Sequence, residues 1–97
     1  MTEVNSKDVI ISMPKNFSVE EAEKFRVEAI DGLKNGNNKL ILDFKNCTFI
    51  DSTGLGVLVA IYKKCADKNG YLKLKNLNDQ VSKVFNLTRL DKVFDII

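Results

Sequence analysis

The 97-residue sequence has no histidine and no tryptophan, a single proline and two cysteines. Without imidazole there is no Ser-His-Asp triad, no histidine general base and no histidine metal ligand. Cys47 and Cys65 form no C-x-x-C pair. Neither a zinc site nor a disulfide framework is therefore indicated, and a reducing compartment is the simpler setting. The longest purely apolar run, Val57 to Ile61, falls far below the roughly 20 residues of a membrane span, so no membrane insertion is expected. The polar start, MTEVNSKD, lacks the basic and apolar regions of a signal peptide, which predicts a cytoplasmic protein. Net charge is also scarce. Fifteen basic and thirteen acidic residues leave +2, too little for a nucleic-acid footprint, and no direct nucleic-acid contact is expected. The charge is uneven: residues 1–56 carry seven basic and nine acidic groups, residues 57–97 eight and four.

What is present is a globular composition, 44% hydrophobic, at a length suited to one core. A single domain over 1–97 is expected, with residues 1–7 as a polar lead-in. Val9-Ile10-Ile11, closed by Pro14, reads as a strand near 8–13. Ser18-Val19-Glu20-Glu21 has the form of a capping box, and Ala22, Phe25, Ala29, Ile30 and Leu33 follow at helical spacing. A helix over 19–34 is predicted, stopped near Asn35-Gly36. Lys39 to Phe44 is too densely apolar for one-sided alternation and reads as a central strand. Residues 46–51 read as a loop and 52–68 as a second helix. Tyr71-Leu72-Lys73-Leu74-Lys75 alternates like a strand, and a short helix near 79–86 precedes a final apolar stretch, Leu87 to Ile97. The order is β-α-β-α-β-α plus a terminal apolar segment. It predicts an α/β fold whose mostly parallel or mixed β-sheet is flanked by helices. The pattern leaves open whether helices cover one face or both.

One segment looks chemical: Phe49-Ile50-Asp51-Ser52-Thr53-Gly54-Leu55-Gly56. Asp, Ser and Thr are favoured helix N-caps, and glycines let a first turn approach a sheet. The spacing is not that of a dinucleotide fingerprint, because Val59 stands where the third glycine would fall, and no Gly-Lys-Ser/Thr follows for a phosphate-binding loop. Ser52 has no base beside it for acyl transfer. No complete catalytic set is visible, and no enzyme, cofactor or metal site is expected. What remains is a hydroxyl at the mouth of a helix beside a carboxylate, a place that tolerates a phosphoryl group. On the helical wheel Leu55, Leu58, Val59, Tyr62 and Ala66 form a core stripe with Cys65 at its edge. Thr53, Gly56, Val57, Ala60, Ile61 and Lys64 lie opposite, and Val57 and Ile61 there call for a partner or a covering element.

Asp51 to Leu58, preceded by the Leu40–Phe44 strand and followed by Tyr71 to Leu74, resembles the STAS domain family, the bacterial anti-sigma factor antagonists. Val84 to Phe94 is similar to that family's closing helix, Thr-x-Leu turn and final segment. The resemblance implies a non-catalytic domain with a mixed sheet flanked by helices. It implies phosphorylation at Ser52 by a serine kinase that also sequesters a sigma factor, and reversal by a PP2C-type phosphatase. The unmodified form would bind the kinase and release the sigma factor. Asp51, Thr53, Gly54, Gly56, Val57, Ala60, Ile61 and Lys64 are the expected partner-binding residues, with Ser18 from the turn before the first helix. That turn, Lys15 to Ser18, departs from the family's Gly-Glu-Leu-Asp-like pattern, with Ser18 where the Asp would fall. An alternative reading is a STAS-like adaptor or structural module of a transport or stress-signalling complex.

Overall fold

Dense apolar character in one strand and strict alternation in another follow from their places in one sheet. A computed structural model describes residues 8–97. Strands β1 (Val9–Ser12), β3 (Lys39–Asp43), β5 (Tyr71–Lys75) and β6 (Asp95–Ile96) form a four-stranded sheet in the order β1-β3-β5-β6. Among the described residues every pairing in it is parallel. The register aligns Ile11, Leu42, Leu74 and Ile96 across the sheet, with Val9, Leu40 and Leu72 in the adjacent row of the same face.

Helices α1 (Val19–Lys34), α2 (Ser52–Asp67) and α3 (Asp79–Leu87) all pack on that face. Leu40, Leu42, Leu72 and Leu74 share one core with Ala22, Phe25, Ala29 and Leu33 of α1, Leu55, Leu58 and Cys65 of α2, and Val81 and Phe85 of α3. Coverage is thus one-sided. The opposite face carries the row Ile10, Ile41, Lys73 and Asp95, where Lys73 lies 3.7 Å from Asp95 and over the Tyr71 ring. Buried Ile41 stands outside the helix-covered core, which explains why β3 reads as apolar on both sides.

The helix ends use the expected residues in part. Gly36, at φ +90°, and Asn69, at φ +63°, occupy the left-handed region just beyond α1 and α2, where these residue types are least strained. Ser18 occupies the N-cap position of α1, and its carbonyl accepts from the Ala22 N–H at 2.7 Å, but its side chain makes no capping bond. The expected capping box is corrected accordingly. Glu21 reaches Lys24 at 3.5 Å, one turn further on. At the other end of the chain, a 3-10 turn at Leu90–Lys92 and strand β6 resolve the final apolar stretch. Phe94 is buried edge-on against Tyr62 and Phe85, 5.4 and 5.8 Å away between ring centres. Leu87, Val93, Ile96 and Ile97 stay exposed.

The wheel expected for α2 needs a correction. Ile61, placed on the outward face, is fully buried, whereas Ala66, placed in the core stripe, is exposed. The buried sector runs from Ile61 through Gly54, Cys65, Leu58 and Tyr62 to Leu55, roughly 120° of circumference at about 100° per residue. It is shifted because α2 packs against α1 on one flank as well as against the sheet. Val57, at the margin of this sector, is half-buried.

Ile61→Asp is therefore expected to behave as Leu58→Asp does, losing at least about 3 kcal/mol through an unpaired carboxylate in a packed core. Ala60→Asp, one residue away on the exposed face, should shift stability by less than about 0.5 kcal/mol; paired thermal melts check the contrast. Stability should also fall as pH rises past 9. Burial pushes the Cys65 thiol up to about 11. The hydrogen bond that the Tyr71 hydroxyl donates to the Asp8 carboxylate pushes that phenol up to about 12. In this range the unfolded chain loses protons that the folded chain retains, so denaturant midpoints should decline between about pH 9 and 11.

Candidate functional site

Parallel strands bring their carboxyl ends to one edge of a sheet, and the loops leaving that edge are where α/β folds build sites. Here β1 and β3 leave it in succession, and each is followed by a two-residue strand, β2 (Asn16–Phe17) and β4 (Phe49–Ile50). These pair in parallel, Asn16 with Phe49 and Phe17 with Ile50. The Lys15 carbonyl accepts from the Thr48 and Phe49 N–H groups at 2.8 and 3.2 Å. The turn before α1 is thereby held beside the turn before α2. Neither small strand was expected: two residues are too short for an alternation signal, and 46–51 reads as loop.

The loop from Phe44 to Asp51 is anchored from below. Phe44 and Cys47 are fully buried. Asn78, the N-cap of α3, accepts from the Val81 N–H through Oδ1 at 2.9 Å and donates through Nδ2 to the Cys47 carbonyl at 2.8 Å. One side chain thus caps a helix and ties it to the loop, a role invisible in a local motif because its partner is 31 residues away. Asn76 donates to the Asp43 carboxylate at 3.0 Å, which with the Lys45 backbone N–H holds that group below the usual carboxylate range. The Cys47 thiol is pushed up by burial and, like Cys65, is no ready nucleophile.

On this base Asp51 caps α2. Its Oδ1 accepts from the Gly54 N–H at 2.9 Å, and its carbonyl accepts the first intrahelical bond, from Leu55, at 3.0 Å. Ser52 and Thr53 follow as the first two helical residues, both exposed. Their N–H groups precede the intrahelical ladder and add to the positive end of the helix.

Two glycines in this turn do different work. A Cβ on Gly54 would stand 2.4 Å from the Phe17 carbonyl oxygen and 2.7 Å from its ring. Gly54, expected to meet a partner, is buried against β2; only a residue without a side chain lets α2 start so close to that strand. A Cβ on Gly56 would meet nothing within 4 Å, and the residue is exposed. The outward surface of α2 comprises Ser52, Thr53, Gly56, Ala60 and Lys64, with Val57 and Asp51 half-buried at its margins. Ser18, half-buried, lies in the neighbouring turn. Of the expected partner-binding residues, Gly54 and Ile61 are removed from this surface by burial.

The STAS domain model matches residues 1–97. The chain belongs to the STAS domain family. A protein of Thermotoga maritima described as a candidate anti-sigma factor antagonist is 37% identical over 91 residues, 92% of this chain and 80% of that protein. The anti-sigma-B factor antagonist of Bacillus subtilis is 30% identical over 92 residues, 95% of this chain and 84% of that protein. A crystal structure of a candidate anti-sigma factor antagonist from Thermotoga maritima superposes with a TM-score of 0.87 at 33% identity, over 97% of this chain and 81% of that one. The Bacillus cell fate determinant SpoIIAA in its phosphorylated form shares the fold, with a TM-score of 0.75 at 21% identity over 99% of this chain and 87% of that one. STAS antagonists of this kind are regulatory modules that act by binding partners and not by catalysis. No helix among the described residues is long and apolar enough to cross a membrane.

The two glycines make opposite forecasts. Gly54→Ala should cost about 1–3 kcal/mol, because a Cβ there forces α2 away from Phe17. Gly56→Ala should stabilise the free domain by up to about 1 kcal/mol, the helix-interior penalty of glycine. Chemical denaturation of the two variants reads both signs.

Proposed function

We propose that this STAS domain is an anti-sigma factor antagonist switched by phosphorylation of Ser52. The observation that carries the reading is Ser52 itself: an exposed hydroxyl on the first residue of α2, beside the capping carboxylate of Asp51. The cytoplasmic partner is an anti-sigma serine kinase that holds a sigma factor. The unmodified antagonist engages it through Asp51, Ser52, Thr53, Gly56, Val57, Ala60 and Lys64, with Ser18 alongside, and the sigma factor is released. In the kinase complex the Ser52 Oγ attacks the γ-phosphorus of ATP, the bond to the bridging β,γ-oxygen breaks, ADP departs, and a kinase base takes the hydroxyl proton. A PP2C-type serine phosphatase reverses this by hydrolysis, returning Ser52 and inorganic phosphate.

The switch acts on the interface and leaves the fold intact. Phosphorylation adds about −1.5 to −2 charge. Within the domain the N–H groups and positive end of α2 offset the repulsion from Asp51. At a closed interface the same charge must be desolvated, and there it costs far more. The relatives' names as anti-sigma factor antagonists and the solved phosphorylated form of SpoIIAA support the reading.

Incubation with its cognate serine kinase and MgATP should add one phosphoryl group by mass, and Ser52→Ala should abolish it. Phosphorylated protein and Ser52→Asp should keep a cooperative melt while losing at least tenfold in kinase affinity by calorimetry, about 1.4 kcal/mol. Modification mainly at Thr53, or unchanged affinity, overturns the switch; stable binding without any phosphoryl transfer would favour the adaptor reading.

A further inference from the structure

The two long helices run together on one face of the sheet, and their carboxyl-terminal ends leave a groove of about 380 Å³ between them. Its apolar lining is Ile30, half-buried, and Leu33, buried; its rim is Lys34, Lys64, Lys68 and Asp67. Three cations thus surround an apolar floor with one carboxylate among them. None of the three lysines makes an ion pair among the described residues. The remaining charged groups of the adjoining turns are Glu28, Asp31 and Lys63, all exposed. The negative ends of the two helix dipoles favour cations there, which accounts for the lysines' tolerance but not for the apolar floor between them.

We propose that this groove is a second docking site for the protein that meets Ser52, taking an acidic segment of that partner that carries a bulky apolar side chain. The apolar residue fills the space over Ile30 and Leu33, and its flanking carboxylates meet Lys34, Lys64 and Lys68. The inference rests on the reading of α2 as the partner-binding helix, and Lys64 makes the groove continuous with that surface. Charge complementarity selects the occupant: a basic segment would meet three like charges, and a wholly polar one would leave the floor wet.

The spacing gives the groove a role distinct from that of the switch. Ser52 and Lys64 lie twelve positions apart on α2, about 18 Å along its axis. That exceeds the screening length of about 8 Å at physiological salt. A phosphoryl group at Ser52 leaves contacts at the groove nearly unchanged, so the groove holds the partner in both states of the switch while the helix entrance discriminates between them. Phosphorylated antagonist should consequently retain a weak, salt-sensitive association.

The test uses the full chain, isotope-labelled, with the acetylated and amidated peptide Glu-Leu-Glu-Glu-Leu-Glu as probe, so that no kinase is needed and failure is separable from failure of the Ser52 reading. Amide shifts should change at residues 30–34 and 64–68 and not at 51–53, identically in wild type and Ser52→Asp. Lys64→Glu combined with Lys68→Glu should weaken the peptide at least about fivefold, as should raising salt from about 20 to 300 mM. The Lys-Leu-Lys-Lys-Leu-Lys peptide should not bind. Equal binding of both peptides, shifts centred elsewhere, or no shifts at millimolar peptide overturns the proposal. Decanoate binding in the groove while the acidic peptide fails to bind also overturns it, assigning the groove to small amphiphiles.

Discussion

The contact on which the site depends is the approach of the first turn of α2 to the backbone of Phe17. With no room for even a methyl group at Gly54, the start of α2 is fixed against β2, and β2 against β4 by two paired residues. Phe17 in turn packs edge-on against Phe25 of α1, 5.5 Å between ring centres. The outward position of Ser52 is thus a product of burial on the opposite side of the same helical turn. A site held in this way can present a hydroxyl without moving to do so, and a charge placed on that hydroxyl changes what the surface offers more than how the chain folds.

Much of this architecture is written in local pattern. The apolar spacing of α1, the alternation of β5 and the Asn-Gly steps after both long helices correspond to elements whose ends agree with expectation to within a residue or two. These are cases in which side-chain period and backbone preference act within a few residues of one another. The resemblance at Asp51 to Leu58 likewise leads to the family. What local pattern does not carry is anything set by a distant neighbour. The short strands β2 and β4 exist because two loops from the same sheet edge meet. Asn78 acquires its second role from Cys47. Ile61 enters the core because α1 lies along α2, a packing choice that no wheel drawn for one helix contains. Ser18 occupies a cap position, as its residue type suggests, yet its backbone alone does the capping.

Under the proposed function, the outward face of α2 would have one end that responds to modification and another that does not. Near Ser52 it is small, with the Asp51 carboxylate at its margin, so an added dianion would dominate it. Near Lys64 it is cationic and adjoins an apolar groove, beyond the reach of that dianion in salt. The proposed switch and the proposed groove would then contribute to affinity from separate places along one helix, and changing one need not disturb the other.

The strand order β1-β3-β5-β6 follows the order of synthesis, each crossover laying its strand beside the previous long one on the same side. Every addition therefore finds its template already made, and no strand must be inserted between two others. Each pairing nevertheless spans a whole crossover, Val9 with Leu40 and Lys39 with Tyr71, and parallel pairings of such separation close more slowly than local helical contacts. A chain leaving the ribosome amino end first has β1 to α2, including both turns around Ser52, available before β5 appears. The turns on either side of Ser52 thus precede β5 and β6 in the chain, the two strands that complete the four-stranded sheet.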